Sequence, residues 1–187
     1  MGLKNINTAP SFLIIGGGCF WCVEAVMQRL NGVLEVIPGY AGGQVPGRPT
    51  YREICSGRTG HAEVVKVVYE PNEISLIQLL QVFFTTHDPT TLNRQGADVG
   101  TQYRSAIFYQ TPEEYSQSKA VIASLSALFS EPIVTSLEVF TVFYEAEAEH
   151  HNYYNKHSTQ GYCQVVIDPK IAKLKATFAP LLKEPTT

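Results

Sequence analysis

The stretch SFLIIGGGCFWCVEAVMQRLNG, residues 11–32, carries the turn from which the fold is read. Ser11 to Ile15 is an apolar run of strand length, and Gly16-Gly17-Gly18 then lets the backbone turn sharply. Beyond the turn Val23, Val26, Met27 and Leu30 recur at i, i+3, i+4 and i+7 before Asn31-Gly32 supplies a stop, so an amphipathic helix follows directly. This spacing puts Cys19 in the first turn of the helix and Cys22 one turn later, inside it.

Working outward, Val33 to Ile37 reads as a second strand, and the glycines and prolines between Pro38 and Pro49 read as a long loop. Glu63 to Tyr69 alternates as a strand should, with Glu63, Val65, Val67 and Tyr69 on one face and Val64, Lys66 and Val68 on the other. Ser75 with Gln78 forms a capping box ahead of Leu76, Leu79, Leu80 and Phe83, which predicts a helix to about Thr86. His87 to Gln102 has no periodicity. Ser105 to Tyr109 reads as a strand, and Thr111-Pro112-Glu113-Glu114 as a second capping box opening a helix to about Phe129. Val134 to Tyr144 reads as one β-branched strand and Glu145 to His157 as a polar, aromatic helix or irregular segment. Gln164 to Ile167 reads as a last strand, and Asp168-Pro169 as the cap of a terminal helix.

Strands and helices mix here without strict alternation. The pattern predicts an α+β fold, a two-layer sandwich of a mixed or mostly antiparallel sheet with packed helices around a ferredoxin-like core. No repeat or linker interrupts the 187 residues, so 1–187 read as a single domain with a mobile C-terminal segment around 150–165.

Composition narrows the function. A hydrophobic fraction of 44% with 17% charged residues is the balance of a globular protein. A net charge of -3 without a basic cluster offers neither a nucleic-acid footprint nor a polybasic membrane patch. The apolar run Phe12 to Ile15 is far shorter than a signal-peptide core or the roughly 20 residues of a spanning helix. Four cysteines, at 19, 22, 55 and 163, are too few and too uneven for a secreted disulfide framework. The chain therefore reads as cytoplasmic, with cysteines used for packing, metal binding or catalysis.

Cys19 is where a reactive thiol belongs: helix N-terminal amides stabilise a thiolate, and the glycine turn leaves the sulfur accessible. The bland alternative is a small apolar residue packed at a helix start. The C-x-x-C spacing suits a dithiol–disulfide oxidoreductase, but Phe20-Trp21 between the sulfurs suits an apolar pocket wall better. A zinc site would want a second cysteine pair, and Cys55 and Cys163 are solitary. Glu63 is a carboxylate at the start of an apolar strand, either an acid kept protonated by burial or an edge charge facing water. Tyrosines 51, 103, 153 and 154 are hydrogen-bond donors or packing residues. Of His150-His151, at most one can serve Cys19 as a base, because adjacent helical positions face different ways. Cys163, near a glycine in QGYC, is placed as a thiol that approaches another sulfur would be.

Taken together, GCFWCVEA from Gly18, GYAGG from Gly39, TYREICSGRTGHAEVV from Thr50, HDPTTLNRQGADVGTQYRS from His87 and QGYC from Gln160 resemble the A-type peptide methionine sulfoxide reductases over nearly the whole chain. Each sulfur epimer of methionine sulfoxide has its own enzyme class, and the resemblance implies the one acting on the S epimer, free or in proteins. It implies Cys19 as nucleophile, Glu63 as proton donor, Tyr51 and Tyr103 as hydrogen-bond donors to the sulfoxide oxygen and Asp98 as a nearby polar residue. Phe20 and Trp21 form the wall for the substrate methyl group, and His151 aligns with a histidine of the family's site.

The resemblance further implies a cysteine sulfenic acid and an intramolecular disulfide recycled by thioredoxin, or by dithiothreitol, with no metal or organic cofactor. Cys163 matches the resolving thiol. Cys22 stands where the family often has glycine and is a relay or alternative resolver, although disulfide geometry across one helical turn is restrictive. Oxidised proteins and free methionine sulfoxide are the implied substrates, in protein repair after oxidative damage. The alternative function is a general dithiol–disulfide oxidoreductase using Cys19 and Cys22.

Overall fold

The computed structural model describes residues 9–184. Its central strands and helices run β1 (Ser11–Gly16), α1 (Phe20–Met27), β2 (Val33–Ala41), α2 (Tyr51–Cys55), β3 (Ala62–Tyr69), α3 (Leu76–Thr86), β4 (Arg94–Gln95), β5 (Asp98–Val99) and β6 (Ala106–Tyr109). There follow α4 (Pro112–Leu125), β7 (Ser136–Val139), β8 (Phe143–Glu145), α5 (Tyr153–His157) and α6 (Asp168–Thr177). The main sheet has the order β7-β6-β1-β3-β2-β8. Leaving out its two edge strands, β1-α1-β2-β3-α3-β6 with spatial order β6-β1-β3-β2 is the ferredoxin-like arrangement the sequence predicts. All pairings in that core are antiparallel, and only β7 joins parallel, on β6.

The edges close on each other. Six strands spaced about 4.8 Å apart would make a flat sheet about 24 Å across. The chain passes from Val139 at one edge to Phe143 at the other in four steps, a reach of at most about 14 Å. The sheet must therefore curl. One face of it encloses a small cluster of Ile14, Ala41, Ala62, Val64, Ala106 and Phe108, covered by Phe12, Phe140 and Phe143. The other face, with Leu13, Ile15, Val65, Val67 and Ile107, packs against α1, with α4 against β6, while α3 and α6 pack on α1.

Four sequence expectations change. The predicted strand 134–144 is two strands on opposite edges, because the chain must leave β6 and cross to β2. The predicted loop from Pro38 starts only after Ala41, since Gly39, Tyr40 and Ala41 pair with Val64, Glu63 and Ala62. The irregular stretch 87–102 holds the small β4–β5 hairpin. The predicted last strand, 164–167, is instead a π-helical turn, Cys163–Ile167, leading into α6. Both sheet edges are already taken, and the residues buried there, Cys163, Ile167, Ile171 and Leu174, follow helical rather than alternating spacing. The cap of α4 is also only half of what was expected: Thr111 accepts from Glu114 N, but Glu114 Oε2 accepts from Gln110 N rather than from the cap residue.

Candidate active site

Cys19 lies at the point where β1 hands over to α1. Gly18 takes φ +88, a conformation costly for any side chain, and Gly16 lies so close to Glu63 that a Cβ would stand 2.8 Å from its carbonyl oxygen. The turn thus seats Cys19 as the N-cap of α1, with ψ 129, just outside the helix rather than in its first turn. Cys22 is the third helical residue. The two side chains lie close enough for each to shift the other's thiol, and both are buried.

The helix N-terminus does not act on Cys19 as the sequence suggests. The first free amide, Phe20 N, donates to Glu63 Oε2 at 3.0 Å. Burial, the neighbouring Cys22 and the nearby Glu63 push the Cys19 thiol well above its ordinary value, outweighing the Trp21 amide that lowers it. Cys22 is shifted the other way, lowered first by the Cys19 side chain and further by the Lys170 charge, against burial and Asp98.

Glu63 is 1% exposed on a central strand, which removes the reading of an edge charge in water. Its alternation with Val65 and Val67 aims it at the helix side of the sheet, beneath α1. Burial pushes the carboxyl up to about 8, with Asp98 and Cys22 adding to the shift and the Phe20 amide opposing it. Oε1 is buried with no hydrogen-bond partner in the protein. Near neutral pH this is a protonated acid with one oxygen anchored and the other uncommitted.

Around these groups the predicted residues gather. The Phe20 ring is fully buried and contacts Trp21, Tyr40, Tyr51 and His150 at centroid distances of 5.3–6.5 Å. Tyr51, held at the start of α2 by the Thr50–Glu53 capping box, is near enough to Glu63 and Cys19 for their charges to add to burial in raising its phenol. Tyr103, in the turn 101–103, is raised by burial and by Glu63, Asp98 and Cys19. Both hydroxyls stay protonated donors. Asp98 accepts from Tyr162 Oη at 2.8 Å, and the same hydroxyl lies 3.6 Å from Cys22 Sγ. A cavity of about 350 Å³ is lined by Cys19, Cys22, Asp98, Tyr162, Val166 and Lys170, among others.

His151 is not part of this cluster. Its Nε2 lies 3.0 Å from Ala146 O and 3.4 Å from Glu145, on a separate, open surface. The neighbouring His150 takes the place assigned to it: buried, its Nδ1 accepts from Trp21 Nε1 at 3.2 Å, and its Nε2 meets Glu147 at 3.3 Å. Glu147 also accepts from Tyr40 Oη and Tyr51 N, so one carboxylate ties together three walls of the site. Tyr153 stacks on Trp21 at 3.7 Å and 6°. Glu147, Tyr162 and Lys170 were missed because nothing local marks them; only the adjacent pair of histidines gave a signal, and it pointed to either one. Cys163 is fully buried, close enough to Cys22 for the latter's charge to raise it, whereas Cys55 is exposed on α2.

Sulfur for attack, an acid able to protonate a departing oxygen, and a second thiol beside the first are the equipment of a thiol-dependent oxidoreductase. Comparison with known proteins narrows that class. The family profile of peptide methionine sulfoxide reductase matches residues 11–181, and the chain belongs to this family. The chain is 55% identical to peptide methionine sulfoxide reductase MsrA of Deinococcus radiodurans over 179 residues, covering 95% of this chain and 86% of the relative. The MsrA of Saccharolobus solfataricus is 49% identical over 169 residues, with 90% and 95% covered. Among solved structures, reduced Mxr1 from Saccharomyces cerevisiae superimposes with TM-score 0.78 at 32% identity, over 86% of this chain and 92% of that one. The protein is accordingly an A-type peptide methionine sulfoxide reductase.

Proposed function

We propose that the chain reduces the S epimer of methionine sulfoxide, free or protein-bound, through a sulfenic acid on Cys19. The observation that carries this reading is Glu63, a buried carboxyl protonated up to about pH 8 with Oε1 uncommitted beside the sulfur. A sulfoxide oxygen is a poor leaving group until it gains a proton. Glu63 supplies that proton while Tyr51 and Tyr103 hydrogen-bond the oxygen, and Phe20 with Trp21 receives the methyl group.

Cys19 attacks the sulfoxide sulfur, its own proton returning to Glu63. The sulfur–oxygen bond of the substrate then breaks and the protonated oxygen leaves as water, leaving a sulfonium bonded to Cys19. Water adds to the Cys19 sulfur, the sulfur–sulfur bond breaks and a proton is released, so that methionine leaves reduced by two electrons and Cys19 is oxidised by two as the sulfenic acid. The thiol supplies both electrons, so no metal or organic cofactor enters the reaction.

A further thiol displaces water from the sulfenic acid, and the resulting disulfide is reduced by thioredoxin, or by dithiothreitol in vitro. Cys22 is near enough to shift both Cys19 and Cys163, which supports the order Cys19, Cys22, Cys163, with residues 150–165 moving to deliver the last disulfide to the reductant. Mxr1, the yeast relative, has also been solved in complex with Trx2. Among the described residues no helix is long and apolar enough to cross a membrane; we place the work of the protein in the cytoplasm, as repair of oxidised proteins, because thiols there are kept reduced.

Incubation with a racemic sulfoxide and a thioredoxin system tests the reading. The S epimer is consumed and the R epimer remains. Equal loss of both, or reduction of insulin disulfides without loss of either, overturns it in favour of a general dithiol reductase.

A further inference from the structure

Lys170 occupies an unfavourable place for a cation. It sits on α6 with its side chain half buried, and burial lowers its ammonium. Nζ donates to Thr86 O at 2.9 Å, which uses one of its three donors. Among the described residues no carboxylate stands within ion-pair distance of it. The same side chain lines both voids flanking Cys22, the cavity of about 350 Å³ shared with Cys19 and a tight gap shared with Phe83 and His87. The negative groups whose charge reaches this ammonium are the Cys22 sulfur first, then Asp88, beyond ion-pair distance, and Cys19.

The groups facing Cys22 can be named from every side. They are Cys19 on the same helix, Glu63 on β3, His87 after α3, Asp98 on β5, Tyr162 and Cys163 before α6, and Lys170 on it. Tyr162 has one proton and two takers, and the Asp98 carboxylate at 2.8 Å holds it. Asp98 opposes a negative sulfur. Lys170 is the one fixed positive charge among them.

Resting on the function proposed above, we propose that Lys170 is the positioning residue that holds Cys22 as a thiolate beside Cys19, so that Cys22 takes the sulfenic acid first. The restriction expected for a disulfide across a helical turn is relaxed, because Cys19 is the N-cap, with ψ 129, outside the helix. In the step, the Cys22 sulfur forms a bond to the Cys19 sulfur and the sulfur–oxygen bond of the sulfenic acid breaks. Hydroxide leaves and takes a proton from solvent to become water. Cys22 is oxidised and Cys19 reduced from sulfenic acid to disulfide; no outside oxidant is needed.

The test uses a Cys163→Ser chain, in which the disulfide stops at its first location. One equivalent of methionine sulfoxide is added, the reaction is quenched with a thiol-blocking maleimide at set times and pH values, and peptides are mapped by mass spectrometry. The expected product is a Cys19–Cys22 disulfide. Adding Lys170→Met slows its formation about tenfold at pH 7 and moves the rising limb of the pH profile up by about one unit, the two being the same effect. Lys170→Arg, which keeps the charge, restores rate and profile. An unshifted profile in Lys170→Met, or Lys170→Arg behaving like Lys170→Met, overturns the proposal. Methionine formed in full by the Cys163→Ser chain without that disulfide also overturns it alone. If that chain forms no methionine from either epimer, the functional reading beneath it falls as well.

Discussion

The turn from β1 into α1 and the segment from Ala146 to Lys170 meet at the same sulfur atoms, but different forces hold them. The turn is built by local rules: an apolar strand, glycines where the backbone needs them, and a helix start. The C-terminal segment has little regular structure of its own between Ala146 and Tyr162. It is fastened from outside, by Glu24 of α1 accepting from Asn152 N at 2.7 Å and Tyr153 N at 3.3 Å, and by Trp21 stacked on Tyr153. The locally built region carries Cys19 and lies beside Glu63, while the fastened one carries His150, Tyr153 and Cys163. On the mechanism proposed above, a thiol that must move to pass a disulfide outward belongs in the second, because it cannot lie in the most cooperative part of the fold.

Tests can break or sharpen the contrast. The largest effect belongs to the turn: Cys19→Ser is expected to abolish methionine formation even in a single turnover, read by quenching with stoichiometric enzyme. Glu63→Gln keeps an acceptor for Phe20 N and so the fold, but loses the proton, and is expected to slow that turnover about 10²–10⁴-fold. The wild-type rate should fall as pH rises through about 8, where the raised carboxyl gives up its proton, and that falling limb should be missing in Glu63→Gln. A retained limb in the variant would assign the acid elsewhere.

Smaller effects probe the fastening. Glu24→Ala strips two amides of a buried acceptor and is expected to lower unfolding stability by about 2 kcal/mol, measured by urea titration, with hydrogen exchange rising first at residues 152 and 153. Unchanged exchange there would mean that the segment holds itself. Glu147→Gln weakens the tie to Tyr40, Tyr51 and His150 in a partly exposed place. A rise in KM of about fivefold, equivalent to about 1 kcal/mol, is expected with single-turnover kcat little changed; steady-state kinetics with a peptide substrate would separate the two.

Legibility followed the same division. The strand Glu63–Tyr69, the helix capped by Ser75 and the turn at Gly18 obey short-range patterns, and the structure has them within a residue or so. Glu63 was readable as an acid candidate because it shares a strand face with Val65, Val67 and Tyr69, but only the structure removed the alternative of an edge charge in water. The segment 134–144 was misread because β-branched residues show that a strand exists, not which partner it takes. The stretch 164–167 was misread for a related reason: Gln164-Val165-Val166-Ile167 suits a strand by composition, but no free sheet edge remained. His151 was preferred to His150 because two adjacent histidines on an irregular stretch cannot be ordered without knowing which way the backbone turns.

Residue types and their spacing alone determined the α+β class, the strand–turn–helix seat of Cys19 and the family of the chain, since each depends on contacts within a few residues or on motifs read in order. Only the tertiary structure decided that Cys19 is held as a thiol, that Glu63 rather than the sulfur takes the helix N-terminus, and that Lys170 comes to stand by Cys22. Those are matters of burial and of charges brought together from distant parts of the chain, and no local pattern encodes the distance between them.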